Sequence, residues 1–377
     1  MNNAPSPPGA DNASLEKPAK QPSKMMKIGV VGGGVIGCLR AQSVIEDPDS
    51  ELVAVFDVSE EAGKAAAGTS SAEVVTSLSA FVDCPMDAAI VSTPPKYHEE
   101  ACVELFKSGR HVICEKPLSN TVEGGTNIVD SAVAHDRVLG VGFNLRYYPF
   151  VQFVKKAVDS GQIGTIDHVR VFGGHDGLHN FRADWQYKCP DSGGGAMMDI
   201  GIHMTDLARY VLGEITTVYG HMSESVFQVP GSEDNAVVVM KSPSGIPAIY
   251  QATWTEWKGY RSYLEVYGDK GMVRGSYAPM QNLLITKDSA IGTKKKKTRK
   301  FYPEIMIRER LKTWTSTALL TFKEELRDFK SVVGGKYDVP LADGYAGLRA
   351  LEIAQAVRDC TKSGAPVQLP ELGNMRG

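Results

Sequence analysis

Six residues, Gly32-Gly33-Gly34-Val35-Ile36-Gly37, constrain the fold of this chain more than any others. They follow an apolar run, MKIGVVG over 26–32, that reads as a buried strand, and they open a helical pattern over about 35–47. In a G-x-G-x-x-G turn between strand and helix, the first glycine allows a tight turn. The second lets a pyrophosphate approach the backbone, and the third lets helix and strand pack closely. Free N–H groups at the helix start then face the phosphates. Asp57 closes a second strand, 51–57, twenty residues after Gly37. A carboxylate there binds the adenosine ribose hydroxyls and repels a 2′-phosphate. The pattern therefore predicts NAD, with NADP disfavoured. The alternative is an ordinary strand–turn–helix with a chance aspartate.

The alternation continues. Helical patterns at 59–67, 96–108 and 121–136 separate strands at 87–92, 110–115 and 138–143. Strands alternating with helices imply parallel βαβ units and a doubly wound sheet. After about 150 the pattern changes. A helix at 148–159, a strand at 165–173 and a helix at about 196–212 precede four or five strand-like segments between 215 and 275. Little helix lies between them, so that sheet is read as mostly antiparallel. The last helices, near 317–333 and 343–361, could pack on either unit. The expected fold is α/β: an N-terminal Rossmann doubly wound parallel sheet, then a C-terminal α/β domain with a large, mostly antiparallel open sheet. The expected boundaries are a disordered tail at 1–24, a dinucleotide domain at 25–147, and a substrate-binding and oligomerisation domain at 148–377.

Composition excludes other classes. With 42% hydrophobic and 23% charged residues, the 377-residue chain is neither disordered nor fibrous. A net charge of −3 gives no general pull toward nucleic acid or anionic membrane. The basic run Lys294–Lys300 reads as a solvated loop between strands, the alternative being an anion or nucleic-acid contact. No apolar run approaches the roughly 20 residues that span a bilayer. Six scattered cysteines form no Cys-x-x-Cys pair, and residues 1–24 lack the apolar core of a secretory signal. Both features fit reduced thiols in a cytoplasmic protein.

Three further segments carry chemistry. Ser92-Thr93-Pro94-Pro95, with Tyr97-His98 beyond it, follows the strand 87–92, and Glu115-Lys116-Pro117 follows the strand 110–115. Ligands of open α/β sheets bind beyond the carboxyl ends of strands, so both segments border one crevice. The alternatives are a plain turn and a solvated lysine. In GGGAMMDIGIHMTD, Asp199 and His203 stand at i and i+4 on one helical face, which Asp206 continues. That pair is either functional or a surface Asp–His contact. Zinc is a third option, because His175 and His179 share the same spacing, but no cysteine or third convergent ligand supports it, and no metal is assigned.

The segments GVVGGGVIG, STPPKYH, EKP and GGGAMMDIGIHMTD, in that order, resemble the Gfo/Idh/MocA family from about Met26 to Leu369. The resemblance implies a Rossmann domain followed by an α/β domain whose open sheet often builds the oligomer interface. It implies oxidation or reduction of sugars and cyclitols with NAD or NADP. Lys116 matches the family's catalytic lysine, and Asp199 and His203 its substrate-binding and acid–base pair. Asn144, Arg146 and Trp185 fall where relatives approach the nicotinamide or the substrate. The implied cofactor set is thus Gly32, Gly34, Val35, Ile36, Gly37, Asp57, Ser92, Thr93, Pro94, His98, Glu115, Lys116, Asn144 and Trp185. The implied substrate set is Lys116, Arg146, Asp199 and His203. The expected activity is an NAD-dependent sugar or polyol dehydrogenase acting on a secondary hydroxyl, in a homodimer or homotetramer. A redox-neutral glycoside-processing enzyme holding NAD tightly and a non-catalytic NAD or sugar sensor are the alternatives. The 294–300 run departs from the family pattern, which offers it no role; the 1–24 extension, which acts as an arm in some relatives, is expected to be idle here.

Overall fold

The computed structural model describes residues 25–177 and 183–370. The 1–24 tail and His179 lie outside the described residues. The first half contains strands β1 (Met26–Val31), β2 (Ser50–Phe56), β3 (Glu73–Val75), β4 (Ala88–Val91), β5 (His111–Glu115) and β6 (Leu139–Gly142). Between them run helices α1 (Val35–Ile45), α2 (Glu60–Ala67), α3 (Leu78–Asp83), α4 (His98–Lys107) and α5 (Val122–Ala134). Local chemistry sets several helix starts. Ser59, Ser77 and Thr121 each accept a hydrogen bond from a first-turn N–H, satisfying donors the helix cannot. Ile28, Val30 and Val31 of β1 are fully buried, as a strand covered on both faces requires.

After α6 (Pro149–Asp159) come β7 (Ile166–Gly174), a one-turn helix α7 (Cys189–Ser192) and α8 (Ile202–Leu212). Strands β8 (Thr217–Ser223), β9 (Asn235–Lys241), β10 (Pro247–Thr253), β11 (Arg261–Gly268), β12 (Gly271–Tyr277), β13 (Gln281–Lys287) and β14 (Lys295–Phe301) follow. The chain ends with α9 (Pro303–Lys312), α10 (Thr315–Val333), β15 (Ala342–Asp343), α11 (Gly344–Ser363) and β16 (Val367–Gln368).

The seven-stranded sheet runs β15-β6-β5-β4-β1-β2-β3. Its β1–β6 pairings are all parallel, while β15 joins β6 antiparallel. The strand order reverses between β1 and β4, which opens a crevice beyond their carboxyl ends. The nine-stranded sheet runs β14-β13-β12-β11-β7-β10-β9-β8-β16. All its pairings are antiparallel except β7 with β10. Helices α6, α8 and α11 cover one face. On the other, Tyr219, Val237, Val239 and Ile249 are exposed. Of the last helices, α10 packs on α1, whereas α11 touches both α5 and β8 and so joins the two halves. Among the described residues no helix is long and apolar enough to cross a membrane.

Three local expectations are corrected. The basic run is not a loop: β14 is an edge strand, every residue of which is exposed. Lysines on such an edge deter pairing with another chain, which is why the strand reads as polar coil. The helix expected from 196 begins instead with a wider π-helical turn, Met197–Gly201. Its leading N–H groups are taken by Glu233: Ala196 donates to the backbone carbonyl (2.7 Å) and Met197 to the carboxylate (2.8 Å). β3 and α3 were not anticipated, being short and partly polar.

Candidate active site

The glycine turn has the geometry its sequence demands. Gly32 adopts φ +97°, and a side chain on Gly37 would put its Cβ 1.8 Å from the Gly32 carbonyl oxygen. Space opens on the other side. A Cβ on Gly34 would meet nothing within 4 Å, and Gly34, the N-cap of α1, leaves the helix start without a side-chain cap. Its first N–H groups are thus presented outward, with Val35 67% exposed beside them and Ile36 half-buried. Asp57 lies just past β2. Its carboxylate accepts from Gly33 N (2.6 Å) and Ser59 N (2.9 Å), which fixes it beside the turn. Past β4, the hydroxyls of Ser92 and Thr93 are buried without a hydrogen-bond partner, next to Pro94. Unpaired buried hydroxyls at a switch point, an uncapped helix start and a fixed carboxylate suit a dinucleotide.

Lys116 follows β5, and its ammonium crosses to the other half of the chain. It donates to the Asp199 backbone carbonyl (2.9 Å) and stands 3.7 Å from the Asp199 carboxylate. The second Asp199 oxygen accepts from His175 Nε2 (2.9 Å) and Trp254 Nε1 (3.1 Å). Gly177 N donates to His175 Nδ1 (3.1 Å), so the His175 proton sits on Nε2, facing the aspartate. His203 is buried edge-on to Phe143, with centroids 5.9 Å apart, and its Nδ1 has no partner. Burial, then the Lys116 charge, push its pKa well below the ordinary histidine value, against the opposing pull of Asp199. It is therefore neutral near pH 7. Among the described residues no group of three potential ligands is arranged to hold a metal ion, and His175 is engaged with Asp199.

The structure thus brings Lys116, Asp199 and His203 together, and it shows the protein partners of several other expected site residues. Arg146 is buried and grips Asp206 through Nε (2.8 Å) and Nη2 (2.5 Å), with Nη1 donating to the Pro340 carbonyl (3.1 Å). That pair links the turn after β6 to α8 and to the chain at Pro340. His98 is buried, its ring nitrogens 2.7 Å from the Thr93 carbonyl and 3.1 Å from that of Pro117. It ties the two strand-end turns together. Glu115 turns inward to Arg40 (2.7 Å), and the Asn144 amide donates to Thr321 on α10 (2.9 Å). Trp185 is half-buried in the short turn Asp184–Tyr187. From that turn it is Tyr187 that packs edge-on against Trp254, with centroids 6.1 Å apart.

Trp254 was missed, and His175 was weighed only as a metal ligand. Both follow the carboxyl ends of β10 and β7, the one parallel pair of that sheet, where Thr253 lies opposite Gly174. The strand-end rule would have found both had the pair been recognised as parallel. Tyr260, stacked on His175 at 6.5 Å, left no sequence signal.

Comparison with known proteins falls on these same elements. A family model described as the oxidoreductase family, NAD-binding Rossmann fold, matches residues 26–143, and the GFO/IDH/MocA C-terminal domain matches residues 151–274. This chain belongs to the Gfo/Idh/MocA family. Its first half is accordingly an NAD-binding Rossmann domain. The inositol 2-dehydrogenase of Rhizobium meliloti (strain 1021) is 30% identical over 255 residues, spanning 66% of this chain and 74% of that protein. The myo-inositol 2-dehydrogenase of Thermotoga maritima is 27% identical over 363 residues, spanning 92% and 99%. Levoglucosan dehydrogenase, solved in complex with NADH and L-sorbose, shares the fold with a TM-score of 0.80 at 21% identity, covering 93% of this chain and 100% of that one. The family relatives are sugar and cyclitol dehydrogenases, and this chain is an NAD-binding oxidoreductase.

Proposed function

We propose that this protein is an NAD-dependent dehydrogenase of a secondary hydroxyl on a sugar, a sugar derivative or a cyclitol. The observation that carries this reading is Asp199, whose carboxylate and carbonyl gather Lys116 from one half of the chain and His175 and Trp254 from the other. The turn Gly32–Gly37, Asp57, Ser92, Thr93 and Pro94 would hold NAD, which when bound supplies the acceptor for a hydride from the carbinol carbon. Asp57 favours NAD over NADP by repelling a 2′-phosphate.

His203, neutral in its buried setting, takes the hydroxyl proton. Lys116 places a positive charge at the developing alkoxide and stabilises it. Asp199, held by His175 and Trp254, accepts from a neighbouring hydroxyl and fixes which carbon faces the cofactor. Inositol and sugar dehydrogenases among the relatives support a polyhydroxylated substrate. The exposed sheet face carrying Tyr219, Val237, Val239 and Ile249 supports a homodimer or homotetramer built on that face. The test of function is a panel of cyclitols and monosaccharides screened with NAD for NADH formation. A substrate turned over to NADH supports the reading, and none across the panel argues against it.

A further inference from the structure

Behind Lys116 lies a buried ion network that the proposed reaction does not use. Arg40, on α1, is fully buried. Its Nε donates to Glu115 Oε1 (2.7 Å), and its Nη2 lies 2.5 Å from the same oxygen. Its Nη1 pairs with Glu325 on α10, also fully buried. The guanidinium is sandwiched against Phe322, one turn earlier on α10, with its carbon 3.8 Å from the ring centroid. Space for the pair is left by the bare backbone of β6. A Cβ on Gly142 would lie 2.8 Å from Arg40 Nη2 and 2.9 Å from the Glu115 carboxyl. The second oxygen of Glu115 accepts from the Lys116 N–H (3.3 Å). A chain of contacts thus runs from α10 through Arg40 and Glu115 to the backbone that carries Lys116.

For stability alone such a network is a poor choice, because apolar residues of similar volume usually serve as well. It does fix orientation: a planar guanidinium holding two carboxylates allows few arrangements. It also carries one negative charge too many if both carboxylates ionise, and Glu325 Oε1 is buried with no hydrogen-bond partner. The groups facing Glu325 are Arg40 on α1, Glu115 on β5, and Arg146 and Tyr147 on the turn after β6, with Asp328 one turn further along α10. Burial pushes the Glu325 carboxyl up to about 7, with Arg40 opposing the rise and Glu115 adding to it. Below that pH a protonated Glu325 leaves Arg40 to Glu115; above it the two carboxylates compete for one cation.

We propose that Arg40 and Glu325 are positioning residues for Lys116, acting through Glu115, so that α10 sets the placement of the lysine at the other end of the network. The inference rests on the reading of Lys116 as a group of the active site, and its test needs no known substrate. The full-length protein with NAD bound is labelled with trace acetic anhydride across a pH series, and Lys116 is read by peptide mass spectrometry with Lys27 as the internal reference. In wild type the relative labelling of Lys116 carries a step near pH 7. Glu325→Gln, which keeps shape but cannot titrate, abolishes the step and raises Lys116 labelling about threefold above it, where wild-type Glu325 is ionised, while leaving labelling below it unchanged. Arg40→Lys, which keeps the charge but not the fork, gives an intermediate change and serves as the second probe if Glu325→Gln folds poorly. Unchanged Lys116 labelling in these variants overturns the inference, as does an equal rise at Lys27, which would mean general loosening. Loss of function in Lys116→Ala is judged separately on NADH formation. A Lys116→Ala variant with wild-type turnover would sink the functional reading while leaving the labelling result standing.

Discussion

Arg146 separates a reading from sequence and a reading from structure most sharply, and replacing it with methionine tests both. In the folded protein its guanidinium makes two bonds to Asp206, at 2.8 Å and 2.5 Å, and stacks 4.8 Å from the centre of the Tyr210 ring. Asp206 is 1% exposed. Arg146→Met strands that carboxylate in the interior, and removing one partner of a buried pair costs about 3–5 kcal/mol. Against a total stability of roughly 5–15 kcal/mol, the loss is large enough to see directly in urea unfolding as a lower midpoint at unchanged slope. The double variant Arg146→Met/Asp206→Leu removes both charges and should recover most of the loss, since an apolar replacement of a buried pair is often neutral. Folded Arg146→Met should bind substrate much as wild type does, because the arginine is spent on Asp206 and the Pro340 carbonyl. A single variant with wild-type stability and a raised KM would refute this argument and restore Arg146 as a substrate contact. A double variant as unstable as the single would refute the stranded-charge mechanism.

Other outcomes follow from the same structure. His203 has a folded pKa below its unfolded value, so the unfolded chain binds the extra proton; the stability it contributes is present above the ordinary pKa of about 6.5 and is lost as pH falls toward the folded pKa. NMR titration should find His203 neutral well below that pH, and Lys116→Met should move the titration upward by removing the neighbouring charge; an unmoved titration would show that Lys116 does not act on it. Asp57→Ala should narrow the preference for NAD over NADP, measured by cofactor affinity, and a wild-type preference for NADP would contradict the role given to Asp57. Light scattering at micromolar concentration should give a dimeric or tetrameric mass that Val239→Glu, on the open sheet face, reduces; a monomeric wild type would contradict the assembly.

Much of this was legible in the sequence because the signals were local. Gly32–Gly37 and Asp57 sit at spacings that only a strand–turn–helix and its next strand explain, and β1, α1 and β2 stand where those spacings place them. Strand-end and helical-face rules, which are also local, put Lys116, Asp199 and His203 among the candidates, and the resemblance of EKP and GGGAMMDIGIHMTD to the family gave them their roles. What escaped depends on partners distant in sequence. Arg146 and Asn144, named only through the family resemblance, pair with Asp206 and Thr321, partners that no local pattern announces. Trp254 reaches Asp199 only because β10 lies parallel to β7, and no periodicity distinguishes a parallel neighbour from an antiparallel one inside a mixed sheet. β14 was hidden by composition: seven exposed edge residues dominated by lysine carry no alternation to read.

The central claim, that Lys116 and His203 act on a hydride donor over a bound nicotinamide, is tested most directly by two alanine variants assayed for NAD affinity and for NADH formation on whichever cyclitol or sugar wild type oxidises. Lys116→Ala and His203→Ala should each retain NAD with near wild-type affinity, because the glycine turn and Asp57 are untouched. Each should form NADH about 10²-fold more slowly or worse, the scale of a lost general base or oxyanion stabiliser. Wild-type turnover in both variants would contradict the account, and so would a loss that tracks the loss of NAD binding.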